Sequence, residues 1–292
     1  MASQSRKAEM KNHQTGDSQT LEANRLVHSF LATSGEYNQS PHFRPENQKK
    51  VRGIIEELVH SLDFKDSEKR ALDFGCGTGF VIHLAHDLFA EIHGIDITVE
   101  MMEQVDKSLK NVHLHEGVAE STPFPSGFFH MAFAYSFMDH LADPEAFMKE
   151  AYRVLKPGGV LYADLNPNRA FINAIARNEE AGNSSRHILK EIEGALRNGH
   201  LYARKYGIDP ELLEQAEPVK TIKRGFDPDE ICEVAARIGF SRVEVEHHWF
   251  LGEGAIMHEG KQNKTDVIES YLRSALPISD PLFKYLRLFL WK

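Results

Sequence analysis

Three glycines alternate with other residues directly after a short apolar run, in the segment ALDFGCGTGF. The run ends with Asp73, and the glycines are Gly75, Gly77 and Gly79. Glycine tolerates positive φ and lets a ligand approach the backbone, and the free N–H groups that begin a following helix attract negative or dipolar groups. The segment therefore predicts a turn that binds a nucleotide-like ligand, against the alternative of a tight turn with no ligand.

The residues next to the glycines narrow the class of nucleotide. A Walker A loop needs Lys and Ser or Thr after its last glycine, but Phe80 follows Gly79. The dinucleotide fingerprint is GxGxxG, and the GxGxG spacing found here weakens the case for a nicotinamide or flavin cofactor without removing it. A second acid, Asp96, lies in the segment GIDI, near the end of the second predicted strand, where a carboxylate can accept hydrogen bonds from both ribose hydroxyls of an adenosine.

Apolar runs and amphipathic segments alternate around these residues. The predicted strands are KRALDF, EIHGIDI, VHLHEG, FHMAFAYSF, GGVLYADL and SRVEVEHHW. The predicted helices between them are FVIHLAHDLFA, VEMMEQVDKSL, PEAFMKEAYRVL and DPDEICEVAARIGF. This alternation indicates parallel βαβ units, and strands that are apolar throughout suit a sheet covered on both faces. Ligands of such a sheet bind at the carboxyl ends of its strands, where the glycine turn lies.

The segments that flank this pattern differ in composition. Residues 1–20 are polar and predict a disordered tail, followed by one domain over 21–292. Within it, residues 21–62 are expected to form a helical cap, and the polar helical stretch 168–220 an inserted lid. The last segment, PLFKYLRLFLWK, fits either a closing strand or an amphipathic helix that could touch a membrane surface.

The amino-acid composition limits the binding partners and the cellular compartment that can be expected. The chain has 292 residues, of which 41% are apolar, and a formal net charge of −9, which counts against a nucleic-acid partner. Its two cysteines, Cys76 and Cys232, predict neither a disulfide framework nor a CxxC metal site and favour a reducing, cytoplasmic setting. Neither a secretory signal nor a membrane span is expected. Composition does not fix the oligomeric state.

Several segments together resemble one enzyme family. ALDFGCGTGF, GIDIT, GVAESTPFPSGFFHMAFA, HLADPEAFMKEAYRVLKPGG and FDPDEICEVAARIGFSRVEVE are similar, in this order, to segments of the class I S-adenosylmethionine-dependent methyltransferases that act on small molecules. The similarity runs from about residue 47 to 167 and resumes from 225 to 250. It implies an α/β, Rossmann-like doubly wound sheet of seven strands with the last strand antiparallel, and S-adenosylmethionine as the cofactor.

The resemblance also assigns cofactor contacts. The glycine turn would line the methionine half of the cofactor, Asp96 would bind the ribose, and Ile97 would pack on the adenine. Many relatives carry an acid where this chain has Val118, so either Glu120 or a backbone carbonyl would replace that acid. The full set of expected contacts is Tyr37, Asp73, Gly75, Cys76, Gly77, Gly79, Asp96, Ile97, Met101, Ala119, Glu120 and Tyr135.

The segment YSFMDHLADP carries the candidate base for methyl transfer. His140 titrates near neutral pH and could accept a proton from an acceptor hydroxyl, with Asp139 orienting it. A role for His140 in packing alone is an equally weighted alternative. Related metal-binding segments carry an acid where this chain has Ser136, and one carboxylate–histidine pair makes a poor metal site, so no metal is expected.

The expected acceptor is a small molecule such as a natural product, a quinone precursor or a sugar, methylated on oxygen in preference to nitrogen or carbon. Two alternatives stay open: a cyclase or decarboxylase that keeps the cofactor without transferring its methyl group, and a lipid-linked acceptor. His247 and His248 follow each other on a predicted strand and are expected to be structural.

Overall fold

The computed structural model describes residues 18–32, 43–63, 69–182, 185–197, 207, 209–258 and 262–292. Its strands are β1 (Arg70–Phe74), β2 (Glu91–Asp96), β3 (Val112–Glu116), β4 (Phe129–Tyr135), β5 (Leu155–Pro167), β6 (Arg242–Phe250) and β7 (Phe283–Trp291). They form one seven-stranded sheet in the order β3-β2-β1-β4-β5-β7-β6. The predicted doubly wound α/β sheet is therefore confirmed.

The C-terminal segment is a strand, not an amphipathic helix. Strands β1 to β5 are parallel, whereas β7 lies between β5 and β6 and runs antiparallel to both. Leu286, Leu288 and Leu290 alternate along β7 and are fully buried. Alternate side chains of a strand point to the same face of its sheet, and here that face is covered. A strand between β5 and β6 requires this period of two.

Helices cover both faces of the sheet. Their bounds are α1 (18–32), α2 (Pro45–Ser61), α3 (Phe80–Ala85), α4 (Val99–Met102), α5 (Pro144–Val154), α6 (Arg169–Glu180), α7 (Arg186–Ala195), α8 (Pro210–Ala216), α9 (Pro218–Thr221), α10 (Pro228–Ile238), α11 (Glu253–His258) and α12 (Gln262–Ser274). Helix α1 already includes residues 18–20, which the sequence placed in the disordered tail. The rest of that tail lies outside the described residues.

Helix α3 is shorter than its amphipathic pattern predicts. It ends at Ala85, and a single 3₁₀ turn follows. Arg52 donates to the carbonyl of Leu84 at 2.6 Å, and Asn111 donates to the carbonyls of His86 and Phe89 at 2.7 and 3.0 Å. Donors from α2 and from the loop before β3 thus replace the helical hydrogen bonds, so the helix can stop early.

The apolar core has one layer on each face of the sheet. Phe147 of α5 and Ile231 of α10 pack on one face, and Ile55 of α2 and Ile82 of α3 pack on the other. Because both faces are covered, six of the seven residues of β4 are buried. This rigid centre holds the strand ends, and the turns that follow them, at one edge of the sheet.

Helix α1 packs against the segment expected to form a lid. Ala23, Val27 and Leu31 of α1 share a small apolar cluster with Leu213 and Ala216 of α8. The two segments are far apart in sequence, yet they close over the same edge of the sheet. Helices α1 and α8 therefore support each other, as two amphipathic surfaces that bury each other's apolar stripes.

A buried charge network joins β5, β6 and β7. Arg287 Nε donates to Asp164 Oδ2 at 2.8 Å, and His248 Nε2 lies 2.8 Å from Asp164 Oδ1. Tyr162 donates its hydroxyl hydrogen to the same carboxylate. Burial alone would raise the pKa of Asp164, but Arg287 and then His248 hold that pKa well below its usual range.

The two consecutive histidines of β6 lie on opposite faces of the sheet. His248 is fully buried, and its burial lowers the pKa of its imidazole to about 4. His247 Nε2 lies 2.9 Å from Asp280 Oδ1 on the other face. Because both faces are covered, both histidines are enclosed, which fits the structural role expected for them.

His130, at the start of β4, makes the fold sensitive to acid. Its Nδ1 accepts from the backbone N–H of Arg70 at 2.9 Å, and its pKa is lowered to about 4 by burial and by the cations of Lys156 and Arg70. The folded state prefers the neutral ring, so this stability is complete above pH 6.5 and is lost as the pH falls towards 4. Between pH 7 and pH 5 the wild type should lose about 2 kcal/mol more than His130→Gln.

Urea unfolding at the two pH values measures this difference. His60→Gln, at an exposed position near the end of α2, is the matched control and should lose as much stability as the wild type. Equal losses in the wild type and in His130→Gln would contradict the prediction.

Candidate cofactor and acceptor site

A cavity of about 250 Å³ lies at the carboxyl edge of the parallel strands, beneath α1. Its walls come from the turns after β1, β2, β3 and β4 and from the start of α5. The sequence-predicted residues that line it are Gly75, Gly77, Asp96, Ile97, Met101, Ala119, Glu120 and His140. The fold thus gathers in one cavity the glycine turn, the strand-end acid and the candidate base.

The glycine turn has the backbone geometry that the motif predicts. Gly75, Gly77 and Gly79 have φ values of 62°, 50° and 82°. The backbone N–H of Gly75 donates to the carbonyl of Ile95 at 2.8 Å, which fixes the turn against the end of β2. A Cβ on Gly75 would lie 2.0 Å from the ring of Phe137, so this position has room for glycine alone.

Gly75→Ala tests this steric requirement. The substitution combines an unfavourable φ with the clash against Phe137, and it should destabilise the fold by about 2–4 kcal/mol. Gly127→Ala is the matched control, because Gly127 has a φ of 65° with nothing within 4 Å of the added Cβ. The control should cost only about 1 kcal/mol. Urea unfolding that gives the two variants equal stability would contradict the clash.

Asp96 ties the glycine turn to the end of β2. Its Oδ2 accepts from the backbone N–H of Gly77 at 2.9 Å, and its Oδ1 accepts from that of Thr98 at 2.8 Å. Burial raises the pKa of Asp96, and these two hydrogen bonds oppose that rise. Each carboxylate oxygen still has a lone pair to offer to a ligand hydroxyl.

The wall beyond Asp96 is largely apolar. Met101 and Ala119 are buried, and Ile97 lines the same cavity. Val118, where many relatives have an acid, lines the cavity, and so does Glu120 two residues later. This wall therefore has one flat apolar region and one carboxylate, which suits the face and the amino edge of a purine.

Five predicted residues lie outside the cavity lining. Asp73 is buried beneath the turn, where burial and the charge of Asp96 raise its pKa well above the usual range. Cys76 points into the core against Gly94, and Gly79 packs on Val105. These residues support the turn from behind, so their expected contact with a cofactor remains a prediction.

Tyr135 and Asp139 are the other two predicted residues that lie outside the cavity lining. The Tyr135 hydroxyl accepts from Asn47 Nδ2 at 2.8 Å, and its ring packs on Phe80. Asp139 is buried beside His140. The remaining predicted contact, Tyr37, lies outside the described residues.

His140 is held in a defined tautomer. Its Nδ1 lies 3.1 Å from the carbonyl oxygen of Ala216, which can only accept, so Nδ1 carries the hydrogen. The nitrogen left to accept a proton is Nε2, which lies 3.9 Å from Asp139 Oδ1. Asn24 of α1 donates to the carbonyl of His140 at 3.0 Å, and His28 packs edge-on against the imidazole.

Helix α1 contributes cavity residues that could not be located from the sequence alone. Thr20, Leu21, Asn24 and His28 line the cavity. Hydrogen bonds fix the helix to the turns below, from Ser29 to Glu100 at 3.0 Å and from Gln104 to the carbonyl of Ala32 at 3.0 Å. The amphipathic pattern of α1 predicts a helix, but it does not say which surface the helix covers.

Comparison with known proteins agrees with this geometry. Residues 72–163 match a family model described as a methyltransferase domain. A demethylmenaquinone methyltransferase of Chlorobaculum parvum is 37% identical over 98 residues, which are 33% of this chain and 41% of that protein. A malonyl-[acyl-carrier protein] O-methyltransferase of Hahella chejuensis is 30% identical over 145 residues, 48% of this chain and 49% of that protein. The chain thus spans less than half the length of these curated relatives.

Among solved structures, the YcgJ protein of Bacillus subtilis has the same fold. It superposes with a TM-score of 0.51 at 18% identity, over 84% of this chain and 98% of that one. The family match and the sheet order support the resemblance of this chain to the class I S-adenosylmethionine-dependent methyltransferases, whose cofactor is S-adenosylmethionine. In the part of the chain that the structure describes, no helix is long and apolar enough to cross a membrane.

Proposed function

We propose that this protein transfers the methyl group of S-adenosylmethionine to an oxygen atom of a small-molecule acceptor. The observation that carries the proposal is the single cavity that joins Gly75 and Gly77, Asp96 and His140. A cofactor that spans from Asp96 to the glycine turn would bring its reactive end to the part of the cavity that His140 lines.

In the proposed complex, the carboxylate of Asp96 accepts hydrogen bonds from the ribose hydroxyls. Ile97 and Met101 pack on the adenine, and Ala119 and Glu120 lie at its edge. Gly75 and Gly77 offer a backbone free of side chains to the amino-acid half. The contacts expected from Tyr37, Asp73, Cys76, Gly79 and Tyr135 belong to the same proposal.

The bound cofactor supplies an activated methyl group, so the protein must mainly align the acceptor, exclude water and accept a proton. Alignment of two reactants in a closed site can supply roughly 7–11 kcal/mol of the barrier. His140 Nε2 is the base, because its tautomer leaves that lone pair free. Asp139 beside it stabilises the imidazolium that forms. A positioned base adds about 10²–10⁴-fold.

The acceptor is proposed to be a natural product, a quinone precursor or a sugar with a free hydroxyl. A base in the cavity favours oxygen, because a hydroxyl must lose its proton whereas a neutral amine need not do so before transfer. Two of the similar proteins are named demethylmenaquinone methyltransferase and malonyl-[acyl-carrier protein] O-methyltransferase, which supports a small organic acceptor group.

The test is a mass-spectrometric screen for S-adenosylhomocysteine and a methylated product, with hydroxylated natural products, quinols and sugars as acceptors. His140→Gln should lower turnover about 10²–10⁴-fold and leave S-adenosylhomocysteine binding within a few-fold of the wild type. His113→Gln, outside the cavity, is the control and should keep full turnover.

Binding of the cofactor without methyl release from any acceptor would overturn the transferase proposal. It would favour the alternative of a cyclase or decarboxylase that keeps the cofactor intact. Full turnover in His140→Gln would instead remove only the base assignment and leave His140 as a packing residue.

A further inference from the structure

We propose that Glu217, between the inserted helices α8 and α9, and Lys220 of α9 are positioning residues that set the protonation state of His140. The inserted segment would then be part of the catalytic machinery as well as a cover. This inference rests on the proposed function, because it assumes that His140 is the base.

The first observation is that α9 is fixed to the main core. Val219 is buried in the apolar cluster that includes α5 and α10, and its carbonyl accepts from the backbone N–H of Gly225 at 2.8 Å. Ala216 is the last residue of α8, and its backbone carbonyl accepts the hydrogen of His140 Nδ1. The contact between the insertion and the base is therefore anchored on both sides.

The second observation is a largely buried ion pair, one member of which follows Ala216 in the sequence. Glu217 Oε2 accepts from Lys220 Nζ at 2.9 Å, and the two side chains are 17% and 19% exposed. Lys220 and His140 keep the pKa of Glu217 low despite its burial. Charges held at fixed positions in a poorly hydrated site act strongly on a neighbouring imidazole.

The third observation is an incomplete hydrogen-bond set at the base. Asp139 Oδ1 is buried and has no hydrogen-bond partner among the described residues, and it lies 3.9 Å from His140 Nε2. Burial raises the pKa of Asp139, the charge of His140 opposes that rise, and Glu217 adds to it. Glu217 therefore acts electrostatically on both members of the Asp139–His140 pair.

Several elements contribute charged or titratable groups to this surrounding. These groups are Asp96 of β2, His28 of α1, Asp139 itself, Glu217 and Lys220 of the insertion, and Tyr285 of β7. Burial and His140 lower the pKa of His28 to about 3, so His28 stays neutral at working pH. Glu217 and Lys220 are the pair of opposite charge that can be removed one member at a time.

The test is an NMR titration of the His140 imidazole in the full chain, with the signal assigned from His140→Gln. Glu217→Gln removes a negative charge and should move the His140 midpoint down by about one pH unit. Lys220→Met removes a positive charge and should move the midpoint up by a similar amount. Glu214→Gln, an exposed acid on α8, is the matched control and should leave the midpoint unchanged.

The opposite signs separate this role from a structural one, since loosened packing would move both variants in the same direction or broaden the signal. The double variant Glu217→Gln/Lys220→Met removes both charges and should return the midpoint close to that of the wild type. Shifts of the same sign, or no shift in either folded single variant, would overturn the inference.

The titration needs no acceptor, so its result is independent of the transferase proposal. If the midpoints shift as expected but no acceptor is methylated, the electrostatic coupling stands and the proposed function fails. Once an acceptor is known, the acid limb of the kcat/KM profile should move in the same directions as the NMR midpoints.

Discussion

Asp96→Ala should weaken the binding of S-adenosylhomocysteine by at least about 100-fold. The variant loses a carboxylate that can accept from two ribose hydroxyls, and charge-assisted hydrogen bonds contribute about 1.5–3 kcal/mol each. A total of about 3 kcal/mol corresponds to that factor. The same change also frees the N–H groups of Gly77 and Thr98, which loosens the turn that must meet the amino-acid half of the ligand.

Calorimetric titration measures this loss, and the chain offers a matched control. Asp106 Oδ1 accepts from the backbone N–H of Ser108 at 2.8 Å, in the same two-residue arrangement that joins Asp96 to Thr98. Asp106→Ala should therefore lose a similar turn and keep the wild-type affinity for S-adenosylhomocysteine. 5′-Methylthioadenosine, which has the ribose but not the amino-acid half, should also lose affinity for Asp96→Ala. Binding of both ligands within a few-fold of the wild type would contradict the ribose assignment.

Arg287→Met should destabilise the fold by about 3–5 kcal/mol at pH 7, because it leaves the carboxylate of Asp164 buried without its cation. Both side chains are almost fully inaccessible, with exposures of 2% for Arg287 and 1% for Asp164. The loss should be measured by urea unfolding. Arg242→Met, which breaks an exposed pair with Glu244 near the end of the same sheet, should change stability by less than about 1 kcal/mol.

The pH dependence of the free energy of unfolding provides a second test of this prediction. The folded state holds the pKa of Asp164 below its unfolded value, so the pair contributes stability above about pH 4, and that stability is lost as the pH falls through the lower, folded pKa. The gap between the wild type and Arg287→Met should therefore narrow in strong acid. A double variant, Asp164→Asn/Arg287→Met, should be less destabilised than the sum of the single changes. A double variant whose loss of stability equals the sum of the two single losses would contradict a direct interaction between Asp164 and Arg287.

The sequence predicts the joint position of the glycine turn and Asp96 because parallel strands place their carboxyl ends at one edge. It cannot predict which side chains near that edge face the cavity. Tyr135 sits at the end of β4, where the cavity was expected, yet its hydroxyl meets Asn47. Motif position gives the place along the strand, whereas side-chain direction depends on neighbours that belong to other elements.

Hydrophobic periodicity also does not reveal which segments that are distant in the sequence contact each other. Asn24 and Ala216 both bind His140, one on its backbone carbonyl and one on its ring, and they are far apart along the chain. An amphipathic pattern in each segment predicts only that each has an apolar face to bury. The choice of partner depends on shape complementarity in three dimensions, so the tautomer of His140 emerged only from the structure.

The place of β7 in the sheet constrains the order in which the protein can assemble. This strand is made after all the others, yet it stands between β5 and β6, and β6 is an edge strand whose sheet neighbour is β7. During synthesis, β6 and α10 have no strand to join until residues 283–291 leave the ribosome. Until then Asp164 also lacks Arg287, so the nascent sheet has a carboxyl group without its cation and an open edge, and β7 supplies the partner for both.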